Sequence, residues 1–446
     1  MSSRYLELRP SNSTNSDRYS YKDGVAQINW DIPSGNFVLD PSSVRICGDV
    51  QYFKDETRTT PIVTEGLSSS SRLGVLALFS QIIFRSTKHQ TTLSHERNWN
   101  RWLASYLQNT SSNTDDALSH FSESLLTFPN FETHKRSVVA SENTSSFCTH
   151  LPCSFLNSGQ SIPLTENTFG GISLSLMMES DAMAMQVLPS DFSTDPDIAN
   201  FEGAFYELSN LKLICSVITP PPDQLSRLLS QKEGSMTIQS VHSYYDTSNS
   251  QNMQSTMNFS LKKVKSLYIN MLPSNKLNNL ANDSFATLAP MNSGGEIADI
   301  LKISTLRGGS LLPKLYPRDC NVKESPNTST ADPTLYRDYV NSVVPFYKAT
   351  HIQGGLENTH RNYVGKVVGG INTGIPYQLV CNSGVVSGIG VNFDNFLGGS
   401  GVEMSSAPFG LSIESDLTTN NSQSMFIYVN AETTILYNQS GIQVIS

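Results

Sequence analysis

Leu211-Lys212-Leu213-Ile214-Cys215-Ser216-Val217 alternates apolar and polar side chains, and the chain then runs into Thr219-Pro220-Pro221-Pro222. A period of two marks a strand with one buried and one solvated face. Three consecutive prolines offer no amide donors to a ladder, so the strand cannot continue through them. Asp223-Gln224-Leu225-Ser226-Arg227-Leu228-Leu229 reads next as a short linking helix. Alternation resumes at Met236-Thr237-Ile238-Gln239-Ser240-Val241. Strand-like segments therefore lie on both sides of one break, from Val25 to Ile218 and from Met236 to Ile445. Each half is the size of one β-sandwich. The 446 residues divide into an arm over 1–20, a first domain over 21–219, a linker over 220–234 and a second domain over 235–446.

Upstream of the break, Val25-Ala26-Gln27-Ile28-Asn29-Trp30 reads as the opening strand, ending at the turn pair Pro33 and Gly35. Asp40-Pro41-Ser42-Ser43 separates Phe37-Val38-Leu39 from a strand over 44–53, because the residue before a proline is pushed towards extended backbone. Residues 76–84 are an apolar run of strand length. Trp99, Trp102, Leu103, Tyr106 and Leu107 recur at helical spacing, predicting a helix over 94–108 with the two tryptophans as core anchors. Ile172-Ser173-Leu174-Ser175-Leu176-Met177-Met178 alternates again. Downstream, strand patterns fall at 259–271 and at 301–306, the latter ending at Gly308-Gly309. A helix is expected from Pro333, capped by Asp332, and a glycine-dense loop system over 354–402. Closing strands are expected at 411–413, 425–429 and 434–437, with an extension over 442–445. Residues 1–20 are polar and aperiodic, which suits an arm that orders against a neighbour. Short strands, long connections and one helix per half describe an all-β fold of two tandem eight-stranded jelly rolls with a few short helices.

Charged residues make up 15% of the chain, against a usual value of about 25%. The net charge is −9 and no basic run exceeds Lys262-Lys263, which excludes a basic nucleic-acid groove. The start, Met1-Ser2-Ser3-Arg4-Tyr5, has no apolar core of an export signal, and no stretch approaches the roughly 20 apolar residues of a membrane span. Without export, the six cysteines (Cys47, Cys148, Cys153, Cys215, Cys320 and Cys381) are expected to be reduced.

Catalytic constellations are missing. Cys148-Thr149-His150-Leu151-Pro152-Cys153 offers three metal-ligand types in six residues but has no second ligand pair at zinc spacing. Gly388-Ile389-Gly390 lacks the third glycine of a dinucleotide site, and Gly398-Gly399-Ser400-Gly401 lacks the spacing of a nucleophile elbow. His95-Glu96 reads as a helix start where an acid suits the dipole. Asp195, Asp197 and Glu202 read as turn residues. No catalytic, cofactor-binding or metal residue is therefore assigned. Two competing readings stay open, a carbohydrate-binding or glycosidase-like β-sandwich suggested by Tyr244 and Tyr245, and a generic adhesion protein.

The order of elements resembles the double jelly-roll major capsid proteins of the adenovirus–tectivirus lineage, in their Polinton-like virus, adintovirus and virophage forms. Four passages carry the resemblance. The first is Trp30-Asp31-Ile32-Pro33 through Phe37-Val38-Leu39-Asp40-Pro41. The second is the run from Leu76 through the helical pattern to Tyr106. The third is Tyr206-Glu207-Leu208-Ser209-Asn210-Leu211. The fourth is Gly308-Gly309-Ser310-Leu311-Leu312-Pro313 with Tyr316-Pro317, ahead of Asp332-Pro333. The resemblance implies a non-enzymatic shell subunit of an icosahedral double-stranded DNA virus, built as homotrimeric pseudo-hexagonal capsomers. It further implies penton and minor or cement proteins as partners, an inner membrane as a further one, residence in the virion, and an N-terminal arm beneath the shell.

Overall fold

The computed structural model describes residues 2–12, 16–55, 57, 66–70, 73–110, 145–188, 198–230, 233–282, 284–285, 300–311, 318–320, 388–393, 401–415, 422–438 and 440–446. The first half contributes β1 (Ser2–Leu8), β2 (Gln27–Ile32), β3 (Val38–Phe53), β4 (Phe79–Ser86), β5 (Thr92–Glu96), β6 (Ser145–His150), β7 (Ile172–Met178) and β8 (Phe205–Thr219). The second contributes β9 (Glu233–Ser248), β10 (Asn252–Met257), β11 (Val264–Pro273), β12 (Ile300–Arg307), β13 (Ser310–Leu311), β14 (Gly388–Asn392), β15 (Phe409–Ser415) and β16 (Gln423–Asn438), followed by β17 (Gly441–Ile445). Helices α1 (Trp99–Thr110), α2 (Asp181–Ala184) and α3 (Pro222–Ser230) interrupt them.

Strand order reveals the duplication. The first half forms sheets β1-β8-β3-β6 and β2-β7-β4-β5, and the second forms β9-β16-β11-β14 and β10-β15-β12-β13. Adding eight to every strand of the first pair generates the second, and the named strands within each sheet run antiparallel. This is two jelly rolls of one topology. No strand pairing crosses between the halves among the described residues.

Register fixes the ends of the rolls. Phe53 pairs with Phe205 and Val38 with Ile218, while Ile32 and Ser86 both pair with Ile172. The turns 33–37 and 87–91, the segment 151–171 and the linker therefore lie at one end, where Asn167 donates to the Leu229 carbonyl at 3.0 Å. The connections 9–26, 54–78, 97–144 and 179–204 leave from the other end.

The expected arm is instead a strand. Ser2 to Leu8 pair in unbroken register with Thr219 back to Leu213, and Leu6 and Leu8 pack against the core. Leu6-Glu7-Leu8 has the right alternation, but the segment is too short and polar to stand out from its surroundings. Asp40-Pro41 does not end a strand either. The Asp40 carboxylate accepts from the Ser42 amide at 3.1 Å, and the ladder with β8 shifts register there. The proline thus sits in a bulge, where no ladder donor is required.

Residues 76–84 are split between a 3-10 turn (Gly74–Leu78) and β4, and His95-Glu96 lies in β5 rather than at a helix start. β14 occupies part of the expected glycine-dense loop, whose remainder falls largely outside the described residues, as does the expected helix at Pro333. The strands expected at 425–429 and 434–437 are one continuous strand, β16. Ile172, Leu174, Leu176, Leu211, Leu213 and Cys215 are all buried, as their alternation requires.

One sheet is apolar on both faces. On β16, Met425, Ile427, Val429 and Ala431 belong to the core between the two sheets of the second roll. The intervening Phe426 and Tyr428, with Tyr268 and Val241, belong to a cluster continuous with the core of the first roll. That double burial explains the unbroken apolar run Met425-Phe426-Ile427-Tyr428-Val429 within β16.

Candidate assembly surface

Helix α1 joins the rolls. Its inner side is anchored by Trp99, whose Nε1 donates to the Pro152 carbonyl at 2.8 Å, and by buried Trp102 and Leu103. Asn100 donates to the Ala77 carbonyl and to the Glu179 carboxylate, both at 3.1 Å. Arg101 is only 3% exposed. Its guanidinium lies 4.0 Å from the Phe426 ring centre and 5.3 Å from that of Phe285, and it donates to the Ser284 carbonyl. A cation on aromatic faces, with a carbonyl taking a donor, is a tolerable way to bury a guanidinium. Phe169 of the first roll meets Tyr437 of the second at 5.0 Å between ring centres.

A buried carboxyl ends β5, just before α1. Glu96 Oε1 accepts the Ser154 amide at 2.7 Å, while Oε2 has no hydrogen-bond partner. Burial pushes its pKa up to about 7. Asp181, on α2, accepts the Tyr206 amide at 3.2 Å and is raised by burial to about 6. His242 is held down to about 4 by burial, with Nε2 2.8 Å from Ser240 Oγ. These groups lie apart and form no acid–base pair. Among the described residues no three metal-ligating side chains converge.

The outward face of β1-β8-β3-β6 is different in character. Tyr5 stands 78% exposed, the most exposed large apolar side chain among the described residues. Beside it on β8 are Lys212, Ile214, Ser216 and Ile218, which alternate with core-facing Leu211, Leu213, Cys215 and Val217. Lys212 pairs with Glu7 at 2.6 Å and thereby lowers the Glu7 pKa. Asp49 accepts from Ser146 and Asn210, both at 2.6 Å. Cys47 and Cys148 stand directly opposite each other on β3 and β6 and are joined by a disulfide, whereas Cys153 and Cys215 are free and buried. The expectation of reduced cysteines fails at that pair, because the ladder register brings two distant singletons face to face. It also takes Cys148 away from His150 and Cys153 as a ligand.

The remaining sequence candidates do not assemble into a site. Tyr245 packs on Phe426 at 4.9 Å and lies 3.2 Å from Ser424 Oγ, while Tyr244 packs on the second-roll core, so the two tyrosines form no paired sugar platform. Gly388-Ile389-Gly390 lies in β14. Glu202 is exposed, and Asp195, Asp197 and residues 398–400 lie outside the described residues. Sequence reasoning missed Arg101 and Tyr5. Arg101 is the only charge in Trp99-Asn100-Arg101-Trp102-Leu103, which was a usable signal for a buried cation.

The overall fold recurs in solved structures. A PBCV-1 VP54 structure, fitted into a cryo-EM reconstruction of the virophage Sputnik, superposes with a TM-score of 0.60 at 9% identity, covering 100% of this chain and 96% of that one. The Faustovirus major capsid protein superposes at 0.55 with 11% identity, covering 98% and 90% respectively. The mavirus major capsid protein does so at 0.51 with 8% identity, covering 99% and 89%. The fold is the double jelly roll. No protein-family model and no curated protein matches the sequence. A double jelly roll keeps its strand order while almost every residue changes, so sequence comparison has little to hold.

Proposed function

We propose that this chain is the major capsid protein of an icosahedral double-stranded DNA virus, a structural subunit without catalytic turnover. The observation that carries the reading is the repeated four-strand order of both main sheets, with the second roll locked onto the first by a buried face. Two equivalent rolls per chain make a six-lobed ring from three chains, and such a ring tiles a hexagonal shell. The carbohydrate-binding alternative has no support, since Tyr244 packs on the second-roll core and half-exposed Tyr245 packs against Phe426, leaving no paired platform.

The division at 220–234 into two domains belongs to the same proposal. So do a homotrimeric capsomer, a separate penton protein at the fivefold vertices, minor or cement proteins, and an inner membrane as a further partner. The rolls would stand upright in the shell, with the long connections outward and the linker end inward. Among the described residues no helix is long and apolar enough to cross a membrane. Negative-stain electron microscopy of the purified chain tests the reading. Pseudo-hexagonal particles are expected, and isolated two-lobed monomers at high concentration would reject it.

A further inference from the structure

Duplication leaves one junction open. Inside the chain, the side of the first roll that carries β5 and α1 covers the outward face of β9-β16-β11-β14. Asn98 reaches Ser243 at 3.4 Å and Arg101 stacks on Phe426. The topological counterpart of that covered face is the outward face of β1-β8-β3-β6, which nothing among the described residues covers to the same degree. Phe426 and Tyr428 are buried, whereas Ile214 and Ile218 stay partly exposed and Tyr5 is 78% exposed. The counterpart of β5 is β13, and its Leu311 is 38% exposed. Each roll thus holds one half of a junction that its sister has already completed.

We infer that the outward face of β1-β8-β3-β6, centred on Tyr5, Ile214 and Ile218, seats a second copy of this chain through the β13 side of that copy's second roll. The inference rests on the ring-forming reading above and names its surfaces. A head-to-tail contact joins two different patches, so repeating it closes a ring only if the rotation per roll is right. Here the rotation is set by the junction already built inside the chain. Chemistry agrees with the placement. The face carries isolated apolar side chains among paired charges such as Glu7–Lys212, as in an interface with a small apolar centre and a polar rim.

Sedimentation velocity on the full-length protein at tens of micromolar tests this. The wild type should sediment as three chains. Ile214→Arg, Tyr5→Glu and Leu311→Glu should each sediment as one chain, with wild-type tryptophan fluorescence and far-ultraviolet circular dichroism showing that the rolls stay folded. Gln254→Arg, on exposed strand β10, should leave the trimer unchanged. If Ile214→Arg and Tyr5→Glu remain trimeric, the named face is wrong although the capsomer reading stands. If the wild type itself is monomeric, both fall.

Discussion

Glu96 should make the first roll lose stability as pH rises through neutrality. In the folded chain its carboxyl is held protonated up to about pH 7, because burial disfavours the charged form, while the ordinary value is 4.5. Between those values the folded state binds a proton that the unfolded state has released. The contribution is therefore fully present below about pH 4.5 and is lost as pH rises through 7. A gap of about 2.5 units corresponds to about 3 kcal/mol. Glu96→Gln keeps an oxygen to accept the Ser154 amide and stays neutral at every pH, so the Glu96 part of the decline should be absent from its stability curve. Urea denaturation at several pH values from 4.5 to 8, followed by tryptophan fluorescence, measures this. The three tryptophans, Trp30, Trp99 and Trp102, all lie in the first roll. Asp181 adds a slope of the same sign, since its pKa is also raised. Subtracting variant from wild type removes that shared part. Parallel stability curves for the two proteins would refute the reasoning.

Arg101→Ala should destabilise the chain by about 2–3 kcal/mol, the scale of a charge-assisted hydrogen bond plus a desolvated cation–aromatic contact. It should also separate the tryptophan-reported transition from the far-ultraviolet circular dichroism transition, because the helix contact between the rolls is lost. Deleting residues 2–8 strips a seven-residue strand from β8 and bares its ladder groups. Aggregation on size-exclusion chromatography is expected, where a free arm would have been removed harmlessly. Gly171→Ala should lower the melting temperature by several degrees. Its φ is +89°, and an added Cβ would lie 2.9 Å from the Ile32 carbonyl oxygen, a backbone atom that cannot turn away.

What the sequence exposed was period, and what it hid was pairing. Ile172 to Met178 is legible because each inward residue is apolar and two of the three outward ones are serine, so the strand is found to the residue. The two halves are legible because the prolines at 220–222 terminate β8 whatever packs around it. β1 was lost because its strand character comes from its partner, β8, and not from its own composition. The Cys47–Cys148 bond was lost for the same reason, since 101 residues separate two cysteines that only the ladder makes neighbours. The inter-roll joint is a third case. Phe426 and Tyr428 look like any strand residues until the alternation shows that both faces of β16 are buried.

That last point also explains why duplicated architecture leaves so faint a repeat in the sequence. The two rolls share strand order but occupy unequal surroundings. The second roll's shared sheet is packed on both faces, and it carries Phe426, Tyr428 and Tyr268 where the first roll carries residues such as Ile214 and Lys212 at a surface. Selection on equivalent positions therefore pulls in different directions, towards large aromatic side chains in one roll and towards paired charges around a few apolar residues in the other. The backbone ladder is indifferent to those choices, because main-chain donors and acceptors are the same for every non-proline residue. Topology persists where sequence cannot. A comparison that matches outward faces strand by strand, setting β8 against β16, then reveals surfaces a residue-by-residue alignment would miss. One mismatch between the two faces, exposed Tyr5 and partly exposed Ile214 against buried Phe426 and Tyr428, lies on the face inferred above to seat the next copy.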